Sequence, residues 1–227
     1  MSATAAGITQ RPPVRFFDSV LGKKVVMAVS GVILFAFVVG HLAGNLQIFE
    51  GPEKINAYAR FLRSMPTLLW GTRLVLLVMV ILHIWAAVQL GVRKTKARPI
   101  AYTKKESIVS SYASRTMYWS GPIILAFVIY HLLDLTFGVV HSGFQEGNIY
   151  ANMVGSFRVI PVSVFYIVAI ALLGLHLYHG LWSMFQTLGL NHPRYTHWYK
   201  RFAQVFSIVI VVGFISIPIA VMTGVVR

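Results

Sequence analysis

The chain has no cysteine. That absence excludes thiolate-held iron–sulfur clusters, covalent c-type haem attachment and disulfides, so any metal centre here must rest on histidine. Charge is also scarce: 11% of the 227 residues are charged and 57% are hydrophobic, a composition far from that of a soluble domain. Acidic residues are the scarcest, six against 20 Lys and Arg, for a net charge of +14. In a soluble protein that balance would raise the question of nucleic acid; here the basic residues are distributed as a membrane topology signal. Nor is there a long polar stretch. Hydrophobic spans take most of the chain and leave no room for a nucleotide-binding domain of ordinary size, so any flavin chemistry must come from another chain.

What is present is five apolar stretches, at about 25–46, 70–90, 118–140, 160–188 and 202–223. Each approaches or exceeds the ~20 residues needed to cross the hydrocarbon core. The expected fold is all-α, an integral membrane bundle of five helices over 23–227 preceded by an arm at 1–22. The first apolar run is long and lacks a small-residue cleavage site, so it reads as a retained span and not a signal peptide. If the amino terminus is cytoplasmic, fourteen basic residues lie inside: Arg11, Arg15, Lys23 and Lys24, the group from Arg93 to Arg115, and Arg194, Lys200 and Arg201. Six lie outside: Lys54, Arg60, Arg63, Arg73, Arg158 and Arg227. The positive-inside rule then puts the amino terminus in the cytoplasm and the carboxyl terminus outside. The outer connection 52–66 places Ile55, Tyr58, Ala59 and Leu62 on one helical face, with Pro52 in the first turn and Pro66 ending the run. It reads as an interfacial helix, either a belt on the outer leaflet or a lid over an outer site.

Four histidines, His41, His83, His131 and His176, fall one to each of the first four spans, within a sequence repeat. Ser30 to His41 matches Ser120 to His131 at 7 of 12 positions, and Leu82-His83-Ile-Trp recurs as Leu175-His176-Leu-Tyr. The offsets of 90 and 93 describe a helical hairpin present twice. An ionisable side chain inside a span is costly and marks a functional site by default. Helical rise sets depth: His41 is 17 residues beyond Lys24 and His131 is 16 beyond Arg115, both about 25 Å from the inner boundary. His83, 10 residues before Arg93, lies about 15 Å from the inner surface. His41 therefore pairs with His131 at the outer level, and His83 with His176 at the inner. His179 competes with His176 on depth, but the repeat sets His179 opposite Ala86. Two imidazoles per level suit the two axial positions of a b-type haem better than the four-ligand shell of zinc, and imply electron transfer without an open coordination site. Gly40, Gly44, Ala86, Ala87, Gly174 and Gly180 suit either a porphyrin plane or close helix packing.

The residues Ser30-Gly31, Gly40-His-Leu-Ala-Gly-Asn-Leu46, Gly51-Pro-Glu-Lys-Ile-Asn-Ala-Tyr58, His131-Leu-Leu-Asp134 and His176-Leu-Tyr-His-Gly-Leu-Trp182 resemble the cytochrome b membrane subunit of succinate:quinone oxidoreductases, in its five-helix, two-haem form. The resemblance runs from Lys23 to the carboxyl terminus. It implies that His41, His83, His131 and His176 hold two haem b irons, the fourth lying four residues before a Gly-Leu-aromatic step. It also implies a flavoprotein and an iron–sulfur partner subunit on the cytoplasmic face of a bacterial inner membrane, and a quinone acceptor, with menaquinone the expected type; the basic asymmetry and the lack of a soluble redox domain make the inner loops 91–117 and 189–201 the expected docking face. Succinate oxidation and fumarate reduction use the same path in opposite directions.

Further candidates are Ser30 at a cofactor and Arg158, within Ser156-Phe157-Arg158, at an outer haem propionate or a lipid headgroup. Asp134, Glu50 and Glu53 are outer-side quinone or proton-handling candidates, with the quinone placed beside the outer pair and under the 52–66 helix. His141 reads as a loop residue. Two other functions compete: the di-haem cytochrome of another quinone-linked dehydrogenase, and a hairpin-repeat transporter with histidines as a proton relay.

Overall fold

A computed structural model describes residues 15–97, 112–190 and 192–227. The arm up to residue 14, and Arg98, Lys104 and Lys105 of the basic connection, lie outside the described residues. The described chain is helical, in seven α-helices: α1 Val20–Asn45, α2 Pro52–Arg63, α3 Pro66–Lys96, α4 Tyr112–Leu135, α5 Ile149–Arg158, α6 Ile160–Thr187 and α7 Thr196–Met222. Five of them, α1, α3, α4, α6 and α7, are long and apolar enough to cross a membrane, the architecture of a multi-pass membrane protein.

The helix ends follow local chemistry. Ser19 caps α1, its hydroxyl accepting from the Gly22 amide at 2.8 Å. Gly51, at φ +98, turns the chain into α2, where Pro52 occupies the first turn and loses no needed donor. Asn148 caps α5 by accepting from the Ala151 amide at 3.1 Å. Beyond spans that run several residues past their expected ends, the elements depart from the sequence expectation in four places. α1 starts at Val20, inside the segment assigned to the arm. The 52–66 helix ends at Arg63, and Pro66 opens α3 where it was expected to stop α2. α4 ends at Leu135, short of the expected 140, and the chain then runs in turns with positive φ at Gly138, Gly143 and Gly147. A further helix, α5, follows; its Met153, Val154 and Phe157 are buried.

α1 packs on α3, α4 on α6, and α6 on α7. In lipid such contacts depend on close fit and not on hydrophobic expulsion, so small residues matter at them. A Cβ on Gly174 would stand 2.3 Å from Val211 of α7, and one on Gly44 would stand 2.7 Å from the Tyr58 ring of α2. Those two glycines serve helix packing. Gly40 and Gly180 face open space instead.

The two ends of the bundle differ. At the end holding the carboxyl terminus, Ile48, Ile55, Met153, Val154, Phe157, Tyr166, Ile217 and Val221 form one buried cluster under α2 and α5. Asn56 joins those two helices: its amide donates to Asn148 and its carbonyl oxygen accepts from the Tyr150 amide, both at 3.1 Å. Exposed large apolar side chains such as Leu74, Leu77, Ile81 and Val88 of α3 cover the outer face, as a lipid-facing helix requires.

Candidate functional site

The four span histidines meet in two pairs. The rings of His41 and His131 are 5.8 Å apart between centres, and those of His83 and His176 are 6.1 Å apart. α1 and α4 supply one pair, α3 and α6 the other. His179 makes no ring contact and no hydrogen bond among the described residues, and it is half-buried one turn from His176.

Each pair has its own supporting groups. Ser30 Oγ donates to the Val26 carbonyl at 2.7 Å and lies 3.2 Å from His83 Nδ1. Its single proton is committed to the backbone, so the ring donates to the hydroxyl. That tautomer carries the proton on Nδ1 and leaves the Nε2 lone pair for a ligand. Gly31 gives the ring room, since a Cβ there would sit 3.5 Å from His83 Cε1. His176 Nδ1, in contrast, is buried with no hydrogen-bond partner, the only such atom among the described residues.

The other pair is tied to a buried carboxylate. Asp134 is 2% exposed and accepts from Ser156 Oγ at 2.5 Å, from Tyr166 Oη at 2.9 Å and from His141 Nδ1 at 3.0 Å. Tyr166 Oη also lies 3.5 Å from His131 Nδ1, so the network ends on the ring that faces His41. His41 itself stacks on Phe37 at 5.2 Å with a 16° interplanar angle. His141 does lie outside regular structure, as expected, yet its side chain is only 5% exposed and belongs to this network. Tyr166 and Ser156 escaped sequence analysis as a pair. The only signal for Tyr166 was a phenol inside an apolar span, with no indication of its partner.

Two cavities open near the Asp134 end. A groove of about 860 Å3 runs between α1 and the start of α3, lined by Ile33, Phe37, Met65, Pro66, Thr67 and Thr72 among others. Phe37 separates it from His41. A polar cavity of about 350 Å3 is lined by His141, Tyr150, Arg158 and Arg227. Arg158 therefore stands beside the Asp134 network through His141. Glu50 pairs with Lys54 at 3.6 Å on the surface, and Glu53 is exposed in the first turn of α2; neither lines either of these two cavities.

Donor chemistry limits what these pairs can hold. Among the described residues no group of three or more His, Asp or Glu is placed to bind a bare metal ion. Two imidazoles alone under-coordinate zinc, but they complete a haem iron whose other four bonds come from the porphyrin. Metal–imidazole bonds of about 2 Å on each side, with the ring radii added, span about 6 Å between ring centres. Both pairs are close to that spacing. Open space at Gly40 and Gly180 leaves room for the same group. Comparison of the chain with models of known families, with curated proteins and with solved structures finds no match. Fold and site thus define a class, a multi-pass helical membrane protein with two facing histidine pairs.

Proposed function

We propose that this chain is the di-haem cytochrome b anchor of a succinate:quinone oxidoreductase. It passes electrons between a flavoprotein and iron–sulfur subunit pair at the amino-terminal, cytoplasmic end and a membrane quinone at the other. The observation that carries the reading is the pairing of four span histidines into two two-imidazole centres, one from α1 and α4 and one from α3 and α6. The motifs between Ser30 and Trp182 supply the particular family, and the fourteen-to-six basic asymmetry supplies the orientation.

His41 with His131 and His83 with His176 would hold the two irons, and the bound haems would supply one-electron transfer with no open coordination site. The chain's own groups do the rest. Ser30 fixes the proton of His83 on Nδ1, and Tyr166, itself held by Asp134, does the same for His131. The apolar groove beside Phe37 has the size and lining for a quinone ring and the start of its prenyl tail. Two centres at two depths carry charge across the bilayer, which couples transfer to the membrane potential at about 2.3 kcal/mol per charge per 100 mV.

The test is reduced-minus-oxidised absorption of the purified chain, expected to show two haems. His83→Ala or His176→Ala removes one, His41→Ala or His131→Ala removes the other, and His179→Ala keeps both. A chain without haem bands returns the histidines to a proton relay. Haems that succinate does not reduce in native membranes point to another quinone-linked dehydrogenase.

A further inference from the structure

Two charged side chains are buried among the described residues, and they are treated differently. Asp134 meets three donors; Lys23, 5% exposed, meets no acid among the described residues. Its Nζ donates to Gln89 Oε1 at 3.0 Å and lies 5.8 Å from the centre of the Trp85 ring. An ammonium has three donors, so one neutral acceptor and an aromatic face leave it short of partners and of counter-charge. A buried charge in that condition is costly unless an opposite charge joins it.

The surroundings make the site more positive still. Lys23 sits in the first turn of α1, where backbone amides contribute partial positive charge. The chain's six acids offer little here: Asp18 is exposed and forms no ion pair with Lys23, while Glu106 lies outside the described residues. Trp85 and Gln89 come two and six residues after His83 on α3, so the ammonium stands about 3–9 Å along the helix from the His83/His176 pair, toward the amino-terminal end.

We propose that Lys23 and Gln89 form a binding site for one anionic oxygen group, a carboxylate or phosphate. The proposal of its occupant rests on the two-haem reading: it is a propionate of the group held by His83 and His176. A propionate is tethered at the right level, whereas a lipid phosphate, the other source of the same chemistry, must enter a site that is 5% exposed.

The experiment compares wild type with Lys23→Gln, Lys23→Arg and Gln89→Glu, the last of which offers Lys23 an internal carboxylate. Each full-length chain is purified, its two haems are titrated by spectroelectrochemistry, and retained phospholipid phosphorus is measured per chain. Loss of the cation disfavours adding an electron nearby. In Lys23→Gln the reduction equilibrium of the His83/His176 haem falls about tenfold, about 59 mV for one electron, with the other haem unmoved. Lys23→Arg restores it, and Gln89→Glu lowers it with Lys23 still present. Unchanged potentials, with about one phospholipid lost from Lys23→Gln and retained in Lys23→Arg, assign the site to lipid phosphate. No change in either measurement overturns the site. A wild type that carries no haem defeats the functional reading separately, and the phospholipid measurement then decides the anion site.

Discussion

Replacing Asp134 by Asn tests the polar network built around that buried carboxylate. The carboxylate accepts from Ser156, Tyr166 and His141 at 2.5, 2.9 and 3.0 Å. An amide has one acceptor oxygen. Turned toward His141, it presents N–H groups to Ser156 and Tyr166 and leaves both hydroxyl protons without their acceptor; turned toward the hydroxyls, it sets an N–H against the donating Nδ1 of His141. Hydrogen bonds to a charged group contribute about 1.5–3 kcal/mol each, so losing two at the low end of that range costs about 3 kcal/mol. Adding Ser156→Ala to Asp134→Asn removes one stranded hydroxyl and should recover about 1 kcal/mol, which makes the double variant more stable than the single. Denaturant unfolding of the detergent-solubilised chain, followed by tryptophan fluorescence, measures both differences. A loss under about 1 kcal/mol for Asp134→Asn, or a double variant no more stable than the single, would show that the carboxylate does not organise these groups.

The absence of native cysteine makes topology accessible: Lys96→Cys should resist an impermeant thiol reagent added outside intact cells, and Arg227→Cys should react. Reaction at position 96 from outside reverses the orientation. For the groove, Gly71→Leu adds a side chain where nothing stands within 4 Å of a Cβ, so it should fold; on the proposed function it should keep both haem bands and raise the KM of the complex for quinone severalfold. An unchanged KM moves the quinone away from Phe37 and Thr72.

Arg158 and Glu50, both exposed, illustrate how surroundings separate candidates that looked equivalent as sequence. Both are charged residues near the same end of the bundle. Glu50 is occupied on the surface by Lys54, while Arg158 shares a polar cavity with His141 and Arg227. That cavity touches the Asp134 network through His141, which lines it and is bonded to the buried carboxylate.

The amino-acid sequence by itself determined the number of spans, the level of each histidine and the basic asymmetry between the two ends. These are local properties, set by apolar run length and a constant rise per residue. It also contained α5 without announcing it, since Ile149, Met153, Val154 and Phe157 keep helical spacing over only ten residues, beside Gly143 and Gly147. Tertiary structure alone decided which glycines are contacts and which are open space, because Gly174 and Gly180 read alike until Val211 appears against one of them. It also decided what the buried polar groups meet. Ser30 and His83 are 53 residues apart, Asp134 and Tyr166 32, and Lys23 and Gln89 66. No periodicity records such separations; they arise when antiparallel helices pack, and in an apolar interior a polar atom takes the partner that packing brings.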